Sequence, residues 1–325
     1  MDCNFEKGFL VYKDKERDLV IACPHSGPAL DHPTTRDDNS ETVASLCWHE
    51  LNGTLVISSM PRKRQYGIDF NRDLPPLKTA LEAYNDFNES NNNGINLYEY
   101  RKKYAWVAKD EQDYETRLKI YQNFWAEVGK YNNIILVHRA FNRIKIYPSV
   151  MDFVTFSDKG IKKSLITELL RYINKKYSPF LNQIEQGYKK MIYYESQRFV
   201  ADLISTYKIF NPQKFNGEIK DLIAKDMKKI QKYAAPYIEK RLKDNFTLNN
   251  YLEAVKNALN NAPPPEITVE NTFDGTLALG PKRKLFPTTA KTIIEVESSH
   301  FMNLWYPKIA AEIIKDVYNI IEKRE

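Results

Sequence analysis

Four short apolar runs punctuate the chain: Asp18–Cys23 (DLVIAC), Thr54–Ser59 (TLVISS), Asn133–His138 (NIILVH) and Thr292–Glu297 (TIIEVE). Each is rich in Ile, Val and Leu on both alternating faces, the pattern of strands covered by helices on both sides of a sheet. Between them the apolar period lengthens to that of a helix. Ser40–Leu51 follows the cap-prone run DDNS, Gln112–Tyr131 is amphipathic, and Tyr306–Glu325 repeats apolar residues at helical spacing. Strands alternating with helices predict an α/β sandwich with a mixed or mostly parallel sheet. Residues 161–260 read differently, as helix almost throughout, with breaks expected at Pro179, Pro212 and Pro236. The triplet Pro263–Pro265 closes that block, and NTFDGTLALGPKR after it reads as loop. Phe87–Asn96 (FNESNNNGIN) reads as a polar surface loop. The expected organisation is an α/β catalytic domain from 1–160 and 264–325, interrupted by a helical insertion or lid at 161–263.

Composition narrows the class. A chain of 325 residues, 42% hydrophobic and 28% charged, is neither disordered nor collagen-like. No run of about 18 apolar residues occurs, and the N-terminus has no apolar leader segment, so neither membrane insertion nor export is expected. Three cysteines (Cys3, Cys23, Cys47) without a CxxC spacing point to a reducing cytoplasm rather than a disulfide framework. The net charge of +6 is unevenly placed: residues 161–260 carry 19 Lys and Arg against 10 acids, a net of +9, leaving −3 for the remainder. The helical block therefore reads as an electrostatic guide for an anionic substrate or an acidic partner. No helix-turn-helix, RRM or zinc-finger pattern backs a nucleic-acid partner.

Candidate chemistry concentrates at strand ends. Of five histidines, His25 (in ACPHSG) and His138 sit at the C-terminal ends of predicted strands, the edge where ligands gather in open α/β sheets. Asp37, Asp38 and Glu41 stand at the start of the following helix, where acids are also favoured simply as dipole partners. Two imidazoles with one carboxylate form the usual ligand set of a hydrolytic zinc site. Cys23 is expected to be core. In RKRQYGIDFNRD, Asn71 and Arg72 leave an apolar segment together, with Arg64 seven residues before Asn71. An arginine beside an amide suits bidentate capture of a carboxylate. Asn142–Arg143 repeats the pair after His138. In IIEVESSHF, Glu295 and Glu297 share one face of a strand that is otherwise buried, so at least one should face a cleft. A glutamate beside a metal is the standard general base.

Taken in order, these pieces resemble the N-formylglutamate amidohydrolase family, itself similar to zinc carboxypeptidases. The resemblance rests on PHSG at Pro24–Gly27, the D-x-x-x-(D/E) spacing of Asp37 and Glu41, and IDFNRD at Ile68–Asp73. It continues through a strand-ending His138, MDFVTFSDKG at Met151–Gly160, and the segment from Glu295 to Met302. About two-thirds of the chain is involved. The resemblance implies a carboxypeptidase-like three-layer α/β sandwich and a metal-dependent hydrolase of an amide bond next to a carboxylate, acting on a small acidic N-acyl amino acid or a C-terminal peptide. By position, His25 and His138 would hold one zinc ion with Asp37 or Glu41. Asn71 and Arg72 would grip the substrate carboxylate with Glu297 beside them, Arg64 would lie near the developing oxyanion, and Glu295 would be the base. Two features depart from the family: Leu136 and Arg139 flank His138 where an aspartate and a serine are usual, and the helical block is longer than typical. The alternative expectation is a binding or scaffold protein that keeps the fold without the reaction, using the tyrosine-rich helical block as a partner surface.

Overall fold

The four apolar runs become four adjacent parallel strands in the middle of one sheet. The computed structural model describes residues 2–14, 17–29, 36–89, 97–141, 143–207, 217–273 and 292–323. Within it β3 (Leu19–Cys23), β4 (Gly53–Ser58), β5 (Asn133–Ala140) and β8 (Thr292–Ser299) lie in the order β4-β3-β5-β8. Four further strands widen the sheet: β1 (Asp2–Glu6), β2 (Phe9–Asp14), β6 (Ser149–Val154) and β7 (Glu266–Val269), giving the full order β1-β2-β4-β3-β5-β8-β6-β7. β2 and β6 run antiparallel to their inner neighbours, so the sheet is mixed. The β1–β2 pair is a hairpin closed by Lys7-Gly8, with Gly8 at φ +91°, the left-handed conformation that such a short turn requires.

Alternation along the central strands sorts their side chains onto two helical layers. Leu19, Ile21, Cys23, Ile135, Val137, Ile294 and Val296 share one core with α1 (Ser40–Leu51), α5 (Lys163–Tyr207), α6 (Gly217–Tyr233), α7 (Pro236–Asp244), α8 (Leu248–Asn261), α9 (His300–Trp305) and α10 (Pro307–Glu322). On the opposite face Val20, Ala22, Ile134, Leu136 and Ile293 pack against α4 (Glu111–Val128) and the segment around Ile68, Phe70 and Trp106. The smaller helices α2 (Leu77–Glu89) and α3 (Leu97–Lys103) lie on this second side, linked through Ala83, Phe87, Tyr100 and Val107. No helix of the described residues is long and apolar enough to cross a membrane. Cys3, Cys23 and Cys47 are free thiols, and Cys23 is wholly buried in the first core, as its place on β3 predicts.

Helices α5–α8 occupy the stretch read as helical, with one correction. Pro179 does not break the helix; it lies inside the 45-residue α5. Two features account for this. The buried positions Leu170, Ile173, Tyr177, Leu181, Ile184, Tyr188 and Ile192 keep helical spacing straight through the proline, so packing holds both halves in line. The Ser178 hydroxyl donates to the Lys175 carbonyl at 3.0 Å, supplying the hydrogen bond that Pro179, lacking an N–H, withholds. Pro236 does start a new helix, at the first turn of α7 where a missing N–H is harmless. Pro212 lies outside the described residues. Of the polar loop expected at 87–96, residues 87–89 are the end of α2 instead, and residues 90–96 lie outside the described residues. Residues 266–269, for which the sequence pattern predicts no element, form β7 because they pair with β6; of the loop expected at 271–283, residues 274–283 lie outside the described residues.

Candidate metal centre

Because β3, β5 and β8 are parallel neighbours, their C-terminal ends share one edge of the sheet, and the candidate residues from all three meet there. His25 follows β3 by two residues. The Ser26 hydroxyl, within reach of the carbonyls of Cys23 (3.0 Å) and Ser58 (2.8 Å), fixes this abrupt turn. The Asp37 N–H donates to the His25 carbonyl at 2.9 Å, which brings the approach to α1 back against the same turn. Gly27 is obligatory by contact: a Cβ there would lie 1.9 Å from the Met60 carbonyl oxygen. Gly27→Ala should therefore push the His25 turn off the end of β4 and lower stability by about 1–3 kcal/mol or more. A fall in the urea midpoint at unchanged slope would register it.

The two histidines face one carboxylate. Asp37 Oδ2 lies 3.2 Å from His25 Nδ1 and 3.0 Å from His138 Nδ1, and the imidazole centroids are 5.0 Å apart. Ligand atoms of His25, Asp37 and His138 all fall within 4.8 Å of one another, and all three residues are buried. Burial alone would raise the Asp37 carboxyl, but His25, His138 and Arg62 overcome it and hold the group well below the usual carboxylate range. Asp37 is thus ionised and supplies negative charge between two imidazole nitrogens, as a divalent cation requires. This donor set fits a metal ion.

Each histidine is held from behind. His25 Nε2 lies 2.9 Å from Asp69 Oδ1, and Asp69 is gripped in turn by Arg62 Nε (3.1 Å) and Arg64 (3.0 Å). A carboxylate on the far nitrogen fixes ring orientation and leaves Nδ1 as the lone-pair nitrogen. His138 Nε2 faces the Asn71 amide at 3.3 Å and Glu295 Oε2 at 3.8 Å. Asn71 Oδ1 is buried without a hydrogen-bond partner. Turning that amide by 180° places the oxygen on the Nε2–H that a Nδ1-ligated His138 carries.

The remaining expected residues divide. Glu41 is outside the cluster: it stands in the first turn of α1 and pairs with Arg36, while Asp37, three residues before the helix, turns inward. Asp38 lies near Arg36 (3.5 Å) and Arg139 (3.8 Å). Arg64 is engaged by Asp69 and by the carbonyls of Tyr104 and Arg101. Arg72 donates to the carbonyls of Arg101 (3.3 Å) and Asn71 (3.2 Å). Glu295 is buried beside His138, and Glu297, one turn of the pleat further, is the register partner of His138 on β5. Arg139 points to the other side of β5, where it donates to the Arg36 carbonyl above the Phe141 ring, and it does not enter the cluster. Of the second pair, Asn142 lies outside the described residues and Arg143 binds Asp226.

Two participants were not singled out in the sequence. Asp69, wholly buried within IDFNRD, is the partner of His25, and Arg62 reaches both Asp69 and Asp37 Oδ1 (3.5 Å). A signal was present: Asp69 is the lone acid between Arg62 and Arg72 in a segment of four cations. Burial would raise Asp69, yet Arg62, Arg72, His25 and Arg64 hold it well below the carboxylate range. Burial and the neighbouring Arg72, Arg62 and Arg101 push Arg64 the other way, down to about 10, against the pull of Asp69. Cations outnumber acids on this side of the cluster. Comparison with known proteins adds no relative: no family model, no curated protein and no solved structure matches the chain, so its chemistry is argued from the fold and from this cluster alone.

Proposed function

We propose that the protein is a zinc-dependent hydrolase of an amide bond adjacent to a carboxylate, of the N-formylglutamate amidohydrolase and zinc-carboxypeptidase type, acting on a small acidic N-acyl amino acid or the C-terminal bond of a peptide. The observation that carries this reading is the convergence of His25, His138 and Asp37 at 4.8 Å or less, with the buried Glu295 3.8 Å behind His138. Nitrogen and carboxylate donors in this ratio suit zinc. When bound, the ion supplies Lewis acidity that polarises the scissile carbonyl and activates water. Glu295 takes the proton released on attack and returns it to the leaving amine. Arg62, the guanidinium nearest Asp37, faces the developing negative charge, while the cation excess around Asp69 draws in the substrate carboxylate. Asp69 and Asn71 keep the two imidazoles in their ligating orientation.

Glu295→Gln separates chemistry from metal binding. The variant should retain one equivalent of zinc and lose roughly 10²–10⁴-fold in turnover, the range for removal of a general base. Hydrolysis of N-formyl and N-acetyl derivatives of glutamate and aspartate, and of acidic C-terminal dipeptides, is the readout. A metal-loaded wild type inert on the whole panel would favour the alternative, a scaffold that keeps the fold without the reaction. That alternative draws no support from Arg139, whose guanidinium lies across the strand from the histidines.

A further inference from the structure

The helical block brings a second charged group to the same edge of the sheet. After β5 the chain makes one 3-10 turn, Ile144–Ile146, which α6 covers. The Lys145 N–H donates to Asp226 Oδ1 at 3.1 Å, and the Thr272 hydroxyl donates to the Lys145 carbonyl at 2.9 Å, so the backbone here is fixed from both sides. The segment carrying Thr272 is itself pinned: backbone N–H groups of Asn271, Thr272 and Phe273 donate to Asp152, a register partner of Glu297. Over the Phe273 ring stand two ammonium groups, Lys145 Nζ at 5.8 Å and Lys225 Nζ at 5.5 Å from its centroid. Lys225 Nζ donates to the Thr272 carbonyl at 2.6 Å. Lys145 Nζ, although partly buried, makes no hydrogen bond or ion pair with any described residue.

The charges around Lys145 explain why it is left over. The nearest acid, Asp226, is consumed by Arg143 Nε (2.9 Å), the Tyr251 hydroxyl (2.9 Å) and the Lys145 backbone itself. Glu297 acts electrostatically on Lys145 and on Arg62, but it does not pair with the ammonium within 4 Å. Burial, then Arg143 and Lys225, push Lys145 down to about 8 against the pull of Asp226 and Glu297. A partly desolvated ammonium without an acceptor is costly unless a ligand completes it.

We propose that Lys145, backed by Lys225 across the Phe273 ring, is an oxyanion-binding subsite beside the candidate metal centre, contributed by the turn after β5 and by α6 of the helical block. Its ligand is a carboxylate or phosphate group. Binding there requires neither metal nor turnover, so the subsite stands apart from the hydrolase reading. It also gives the +9 block a local function: Lys225 of α6 adds its charge beside the recessed Lys145 of the α/β body.

The test uses full-length protein stripped of metal, with inorganic phosphate and glutarate as separate titrants in calorimetry at pH 7. Wild type should bind one of them with one-to-one stoichiometry, and the arm that responds identifies phosphate or carboxylate as the preferred chemistry. Lys145→Met should weaken binding about tenfold or more, the scale of one charge-assisted hydrogen bond, while Lys145→Arg retains most of it. Lys225→Met, which alters no contact of the His25 cluster, should weaken binding several-fold and serves if Lys145→Met fails to fold. Because the ligand needs the protonated amine, wild-type affinity should fall as pH rises through about 8, and Lys145→Arg should be flat over that range. Absence of saturable binding by either anion, or unchanged affinity in both methionine variants, overturns the proposal whether or not the protein proves to be a hydrolase.

Discussion

Asp37→Ala protein should retain no divalent ion after desalting, whereas wild type purified without chelator should carry close to one equivalent. The reason is geometric as well as electrostatic. Asp37 Oδ2 is the common neighbour of both Nδ1 atoms, at 3.2 and 3.0 Å, and is the only carboxylate in the three-residue cluster found among the described residues. Its loss leaves two imidazoles 5.0 Å apart with no anion to offset a doubly charged ion. Arg62, whose guanidinium lies 3.5 Å from Asp37 Oδ1, would then sit beside the vacated position and oppose a cation. Elemental analysis gives stoichiometry, and the zinc-induced rise in melting temperature gives affinity through linkage. Near-wild-type zinc content in Asp37→Ala would move the site elsewhere. Asp37→Asn refines the experiment: it keeps a ligating oxygen but removes the charge, so metal should bind detectably and far more weakly. Glu41→Ala, by contrast, should leave metal content unchanged, since Glu41 is paired with Arg36 outside the cluster.

The largest expected loss of stability is at Asp226. This carboxylate is fully buried on α6 and accepts from Arg143, the Tyr251 hydroxyl and the Lys145 backbone N–H. Asp226→Ala would take away the carboxylate that binds the buried Arg143 guanidinium, 3.5 Å above the Phe199 ring, and remove one acceptor from the Tyr251 hydroxyl. Breaking one partner of a buried pair costs about 3–5 kcal/mol, several times the worth of an exposed pair such as Lys102–Glu99. Urea unfolding followed by circular dichroism should show the midpoint falling by that amount divided by the slope. A change under about 1 kcal/mol would mean that Arg143 finds water or another acceptor. The double variant Arg143→Met with Asp226→Leu should recover much of the loss, because a buried ion pair replaced by apolar groups costs less than one from which a single partner is removed. The consequence for the site is direct: Asp226 ties α6 to Arg143 and Lys145, five and seven residues beyond His138.

How much of this was legible along the chain varies by element. β3, β4, β5 and β8 were recognisable because a strand covered on both faces must be apolar at consecutive positions, and that property is local. β1 and β2 were missed although Lys7-Gly8 between Glu6 and Phe9 is a hairpin signal, since Phe9 and Val11 alternate with half-exposed neighbours. Pro179 misled for the opposite reason. Its helix-breaking tendency is local and weak beside an apolar stripe that runs seven positions through it. His25 and His138 could be picked out by residue type and by their place at strand ends, and Glu295 as an acid in a strand that is otherwise buried.

The sequence by itself determined that an α/β sheet would bring two histidines to the ends of its central strands and a glutamate onto the face of a third, and that positive charge would be concentrated in residues 161–260. Only the tertiary structure decided which acid joins the histidines. Asp37 and Glu41 are four residues apart and chemically alike, but the backbone bond from Asp37 to His25 turns one inward and the start of α1 turns the other toward Arg36. It likewise placed Asp69 behind His25, 44 residues away in the chain. Local periodicity fixes which face a residue shares with its neighbours; it carries no information about which distant carboxylate or guanidinium meets it across the sheet edge. That choice is made when parallel strands align their ends, and the charges at the edge then select one another.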